Sequence, residues 1–344
     1  MSVNNTNAVS YRDVTVYSLY FVEGSILLLS NGLLFAVIVR HEALRHRKEF
    51  IIIGGLAFAD AIQTGVGNMA GGIYRIPLLL QNKHTEPLDR FSCLLTVQNI
   101  CWIFSQTCSA LMMLAVSVDR LLAVRFPLTY LGFTERYALA VTSGIYAISL
   151  AELGIMMFRV SQRNLTDVTR ICYASQAVLP IDYNSYFTQN TVASMLSVIV
   201  YCVIVIHVRQ TVTRHIQNSS NSNTVQAELE WQRKLTLSVG ITCLCTLLFY
   251  GIPTIAINIL SLFPQLYAMF IGWVWLVTCL NPFFNLLVYV IKQDDIRKGL
   301  KALLKCKKMP AHLPAWQINS TAQQTIRKIP PKAKQADDIE LASV

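Results

Sequence analysis

Seven apolar stretches, each about 20 residues long, recur along the 344-residue chain, at about 17–39, 50–74, 93–117, 137–158, 186–208, 235–260 and 266–291. A helix of that length rises about 30 Å, the thickness of a bilayer's hydrocarbon core. Lipid offers the backbone no hydrogen-bond partners, so a spanning segment must be a helix or part of a closed barrel. These stretches lack the polar–apolar alternation of a barrel strand. Composition agrees: 14% of the residues are charged, against about 25% in a soluble domain. The sequence therefore predicts an all-α membrane protein. Its seven-transmembrane helix bundle covers 17–291, behind a short extracellular arm at 1–16.

Basic residues set the orientation. On this layout the outer segments hold Arg12, Arg75, Lys83, Arg90, Arg159, Arg163 and Arg170, and the inner ones hold the rest of the 29 Lys and Arg. Positive charge favours the cytoplasmic side. The N-terminus is expected outside a plasma membrane and the C-terminus inside. The net charge of +10 follows from this bias. The basic residues are scattered over loops and form no interleaved face, which counts against a nucleic-acid partner. The polar start, "MSVNNTNAVSYRDVTV", lacks the pattern of a cleavable signal peptide, so span one is expected to act as signal-anchor.

The sequons at Asn4 and Asn164 fall on outer segments and are expected glycosylation sites. Of nine cysteines, Cys93 and Cys172 fall at the outer surface, where a disulfide persists, and they are expected to pair. Cys101, Cys108, Cys202, Cys243, Cys245 and Cys279 lie in spans and read as packing residues. After span seven, 292–308 is amphipathic, with Ile296, Leu300, Leu303 and Leu304 on one face. That pattern predicts a short helix in the cytoplasmic interface, with Cys306 as a palmitoylation site. The proline-containing stretch 309–344 is expected to be a disordered cytoplasmic tail. No internal repeat is visible, which counts against many transporter architectures.

Polar groups within spans are costly and invite a functional reading. Asp60, Asn31, Ser109 and Asn281 allow two. They form one buried centre for a sodium ion or water, or they make separate interhelical hydrogen bonds. Pro253 and Pro282 each remove a helix hydrogen bond and predict kinks. Glu23 and Glu152 read either as ligand contacts or as acids facing water or the lipid interface. The doublet Asp119–Arg120, in "SVDRLLAVRFP", either marks where span three leaves the membrane or is a working part.

The ordered set of Asn31, "LAFAD" with Asp60, Cys93 with Cys172, "DRL" at 119–121, a proline in span six and "NPFFN" at 281–285 resembles the rhodopsin-like G-protein-coupled receptors over about residues 15–308. Finer texture, in "SVDRLLAVRFPLTY", "GGIYRI" and "NPFFNLLVYVIKQDDIRKGL", resembles the nematode serpentine chemoreceptors of class SX. The resemblance implies that Arg120 meets a heterotrimeric G protein when the bundle opens and that Asp119 holds it at rest. It implies that Tyr201 supports the open state, with Asn281, Pro282 and Pro253 in the activation machinery. Asp60, Ser109 and Asn281 match the family's sodium and water site. Departures are Leu121, Gly251, Arg233, Asn285, Ala193 and a fourth span without tryptophan, with Tyr289 one turn beyond Asn285.

By spacing from Arg120, Pro253 and Pro282, the outward pocket is expected to be walled by Trp102, Gln106, Tyr186, Gln189, Asn258 and Trp275. Trp102 stands where amine receptors carry an aspartate, so aromatic rings and amides predict a small, mostly neutral ligand or a peptide end. The function expected is a chemosensory signalling receptor that binds an extracellular small molecule or peptide and activates a heterotrimeric G protein; it is not expected to be an enzyme. The alternatives are a seven-helix scaffold or trafficking protein, or a transporter.

Overall fold

The computed structural model describes residues 11–126, 129–130, 132–163, 166, 168–218, 241, 244–260 and 262–305. Asn4, Asn164, Arg233, Cys243, Cys306 and the tail 309–344 lie outside the described residues, as does the side chain of Asn258.

The long helices follow the apolar stretches. They are α1 (Tyr11–Arg40), α2 (Lys48–Leu80), α3 (Val97–Arg125), α4 (Glu135–Ser161), α5 (Pro180–Asn218), α6 (Ile252–Leu260), α7 (Pro264–Lys292) and the short α8 (Asp294–Leu304). Six are long and apolar enough to cross a membrane, and a shorter apolar helix, Leu244–Ile257, covers most of the described part of span six. The helices outrun the apolar stretches because polar turns extend them beyond the hydrocarbon. α5 starts at Pro180, with Asp182 in its first turn, and α7 starts at Pro264. Proline at the first helical position sacrifices only an N–H that lacks a helix partner anyway, and an acid there complements the helix dipole. In α8, Asp294 and Asp295 open the helix and Lys301 lies in its last turn.

Burial is inverted relative to a soluble protein. Leu29, Ile148, Phe158 and Ile199 stand exposed on the outer faces, where a bilayer covers them. Cys202 joins this outer face of α5, which corrects its reading as a packing residue. The inside is both apolar and polar. Ile52, Met112, Val116, Tyr201 and Ile204 pack the inner half across α2, α3 and α5. Ile103, Leu153, Met156 and Tyr186 pack the outer half, together with Cys93 and Cys172.

Glycines bring α1 and α2 into near backbone contact. A Cβ on Gly24 would lie 2.7 Å from the Met69 nitrogen, and one on Gly65 would lie 2.8 Å from the Leu28 Cα. Small residues at such crossings allow the close van der Waals packing that holds membrane helices together. α2 also contains a π-helical stretch, Ala61–Gly67, directly after Asp60. A second, Leu247–Gly251, precedes Pro253, which supplies no N–H to the Phe249 carbonyl.

Outside, two-residue strands β1 (Pro87–Leu88) and β2 (Val168–Thr169) pair antiparallel, Pro87 opposite Thr169. They join the α2–α3 connection to the α4–α5 connection.

Candidate functional site

The C-terminal end of α3 answers the question about Asp119 and Arg120. Asp119 is 1% exposed and Arg120 is largely buried, so this is no solvated edge. Their closest approach is 3.8 Å, the loose limit of an ion pair. The firmer partner is one that sequence reading missed: the Tyr130 hydroxyl donates to Asp119 Oδ2 at 3.1 Å. Burial, followed by the neighbouring Asp119 and Glu49 charges, holds the Tyr130 phenol above its ordinary pKa, against the opposing pull of Arg120. It therefore stays a neutral donor. Lys48, at the start of α2, fixes this loop. Its ammonium donates to the carbonyls of Tyr130 and Phe133, and it sits 3.6 Å from the Tyr130 ring centroid. The signal was present in "RFPLTY", quoted above only for its resemblance. Tyr201 and Tyr289 are both buried within electrostatic range of the Arg120 guanidinium. Tyr289, not Asn285, therefore brings a phenol from α7 to this end.

Midway through the bundle, Ser109 Oγ donates to Asp60 Oδ1 at 2.8 Å. Both line a cavity of about 30 Å³ together with Asn281, Pro282, Gln106 and Trp275. That space is enough for at least one water molecule. The Asn281 Oδ1 and Trp275 Nε1 atoms are buried without a hydrogen-bond partner among the described residues. A carboxylate, a hydroxyl and a free amide oxygen form a hard oxygen donor set, which suits a small alkali cation with water. Among the described residues no group of three or more His, Cys, Asp or Glu could hold a metal. Asn31 does not join the centre. It is buried on its own helix, donating to the Leu27 carbonyl at 3.2 Å.

Of the expected ligand residues, Gln106 and Trp275 line this cavity, and Trp102 and Tyr186 pack against them. Trp102 Nε1 donates to Asn68 Oδ1 at 3.1 Å, and its ring meets Trp275 edge-on at 6.4 Å. Gly67 makes room for it, since a Cβ there would lie 2.5 Å from Trp102 Cδ1. The Tyr186 hydroxyl donates to Gln106 Oε1 at 2.9 Å. Gln189 departs from the expectation: it is exposed, on the α4–α5 side of the bundle. The inward stripe of α5 runs through Tyr186, Asn190, Ser194, Ser197 and Tyr201, all buried. That 3.6-residue phase leaves position 189 off the inner face. Asn190, which the sequence reading did not select, takes the inward place, with both amide atoms unpartnered among the described residues.

The outer closure is the Cys93–Cys172 disulfide, as expected. Arg75 clamps the same loop. It is 1% exposed, donates to the carbonyls of Ile171 and Cys172 at 3.0 and 2.7 Å, and lies about 5 Å from the rings of Tyr17, Trp102 and Tyr173. Asn99 donates to Cys172 Sγ at 3.0 Å.

The family described as 7 transmembrane receptor (rhodopsin family) matches residues 30–284. The chain belongs to the rhodopsin family of seven-transmembrane receptors. The receptor is 25% identical over 319 residues to adenosine receptor A2b of Rattus norvegicus, covering 85% of this chain and 90% of that one. It is 27% identical over 312 residues to adenosine receptor A2b of Bos taurus, covering 83% and 88%. It is 25% identical over 313 residues to olfactory receptor 11H4 of Homo sapiens, covering 85% and 87%. As a member of this family the receptor is a multi-pass membrane protein that transduces signals and is not an enzyme.

Proposed function

We propose that the receptor resides in the plasma membrane, N-terminus outside, and couples an extracellular small molecule to a heterotrimeric G protein in chemosensation. The observation that carries this reading is the buried Asp119, shared between Tyr130 and the loosely held Arg120. A charge pair buried at a helix end is a two-state element: parting of the inner helix ends frees the guanidinium for a transducer.

The ligand enters from outside and bears on the layer of Trp102, Gln106, Tyr186 and Trp275. Indole rings and amides favour a small neutral molecule with a flat face. Adenosine, after which the relatives from rat and cattle are named, is the first ligand to test. Asp60, Ser109 and Asn281 are the residues that would hold a sodium ion in the resting state. Glycosylation at Asn4 and Asn164 and palmitoylation at Cys306 complete the reading; their sequons and position support it.

The test is Arg120→Ala, with surface expression matched to the parent and G-protein nucleotide exchange measured, basal and with agonist. Coupling is expected to disappear. Retained coupling removes the role assigned to Arg120.

A further inference from the structure

A crevice of about 380 Å³ opens between α4 and α5. Ligand pockets fall in the range of about 300–1,000 Å³. Ile148, Ile155 and Met156 give it an apolar wall, and Glu152, Asp182 and Gln189 give it a polar one. Ile148 and Ile155 are more than half exposed, so the crevice opens sideways, toward lipid and away from the central cavity. Asp182 lies in the first turn of α5, at the outer end of the bundle. Ile148 lies thirteen residues before the outer end of α4 at Ser161, or about 20 Å deeper at 1.5 Å per residue. The residues lining the groove run from Ile148 to Met156 on α4 and from Asp182 to Gln189 on α5, about 10–12 Å at 1.5 Å per residue, so it holds the headgroup end of a long alkyl chain and the rest of the chain lies in lipid.

Its charge is unbalanced. Asp182 is 7% exposed and one of its oxygens pairs with Arg159. Its other oxygen, Oδ2, is buried with no partner among the described residues, and Asp182 lines the crevice. Glu152 accepts from the Thr107 hydroxyl at 2.8 Å and makes no ion pair among the described residues. Two acids thus face one base in a setting where uncompensated charge costs several kcal/mol. A cation with N–H donors satisfies Oδ2 and offsets the excess. A quaternary ammonium headgroup offers no such donor.

We propose that the α4–α5 crevice is a lateral binding site for a long-chain primary amine dissolved in the outer leaflet. The ammonium donates to Asp182 Oδ2, and Glu152 in the wall adds its attraction. The alkyl chain lies over Ile155 and Ile148. This site meets the extracellular ligand layer at Tyr186, which lines the crevice and bonds Gln106, and it does not depend on G-protein coupling.

The experiment uses the full chain in phosphatidylcholine nanodiscs with a diazirine-bearing C16 primary amine as photoprobe. Labelling is expected within 148–156 and 182–189, displaced by hexadecylamine and not by hexadecanol. Asp182→Asn is expected to lower labelling about tenfold, the effect of losing one charge-assisted contact. Since that variant also loses the Arg159 pair, Ile155→Trp is the second arm: it fills the groove with both acids in place and is expected to abolish labelling at an unchanged unfolding midpoint. Equal displacement by hexadecanol, parental labelling in both variants, or crosslinking of two copies through α4 and α5 would each overturn the proposal.

Discussion

At the scale of the residue, the informative side chain is Tyr130. It sits eleven positions beyond Asp119, and the chain must fold back on itself before the hydroxyl reaches the carboxylate at 3.1 Å. The other Asp119 oxygen is buried without a partner among the described residues, so this bond is the carboxylate's main satisfaction. Removing one partner of a buried charged hydrogen bond costs about 1.5–3 kcal/mol. Tyr130→Phe is therefore expected to lower the receptor's stability by about that amount, measured as an unfolding midpoint in detergent. Tyr137→Phe serves as control: its ring packs at a tilt against Phe133, and its hydroxyl makes no hydrogen bond among the described residues. Equal midpoints for the two variants would show that Asp119 does not depend on Tyr130.

At the scale of the element, the α1–α2 crossing and the α5 stripe carry the argument. A side chain at Gly65 meets Leu28 backbone and Cβ within 2.9 Å, and backbone cannot swing aside. Forcing an extra methyl into such a contact costs about 1–3 kcal/mol. Gly65→Ala is expected to lose stability by that amount in thermal unfolding. Gly144→Ala, where an added Cβ meets nothing within 4 Å, is expected to change little. The α5 stripe shows what was legible at this scale. The 3.6-residue pattern of Tyr186, Asn190, Ser194, Ser197 and Tyr201 is present in the sequence. Spacing from Arg120, Pro253 and Pro282 led to Gln189, while helical phase favours Asn190. The π-helical turns in α2 and α6 left no comparable mark, because an extra residue in one turn changes the phase without changing the composition.

At the scale of the whole molecule, an odd number of crossings places the termini on opposite faces. An epitope tag before residue 1 is expected to bind antibody on intact cells, and one after residue 344 only after permeabilisation. Antibody access to both tags on intact cells would exclude the seven-span arrangement. The sequence by itself determined the helical class, the span count, the Cys93–Cys172 closure and the location of Asp119, Arg120, Asp60 and Ser109. These follow from segment length, the cost of unpaired backbone and charge in lipid, and the bias of basic loops, all of which act on the chain locally. Only the tertiary structure decided which polar groups meet. It joined Asp60 to Ser109, left Asn31 on its own helix, brought Tyr130 to Asp119 and Arg75 to the Cys172 carbonyl, and turned Gln189 outward. A hydrogen bond between segments depends on the rotation and spacing of two packed helices. Those are set by glycine contacts, π turns and loop closure together, and no single segment encodes them.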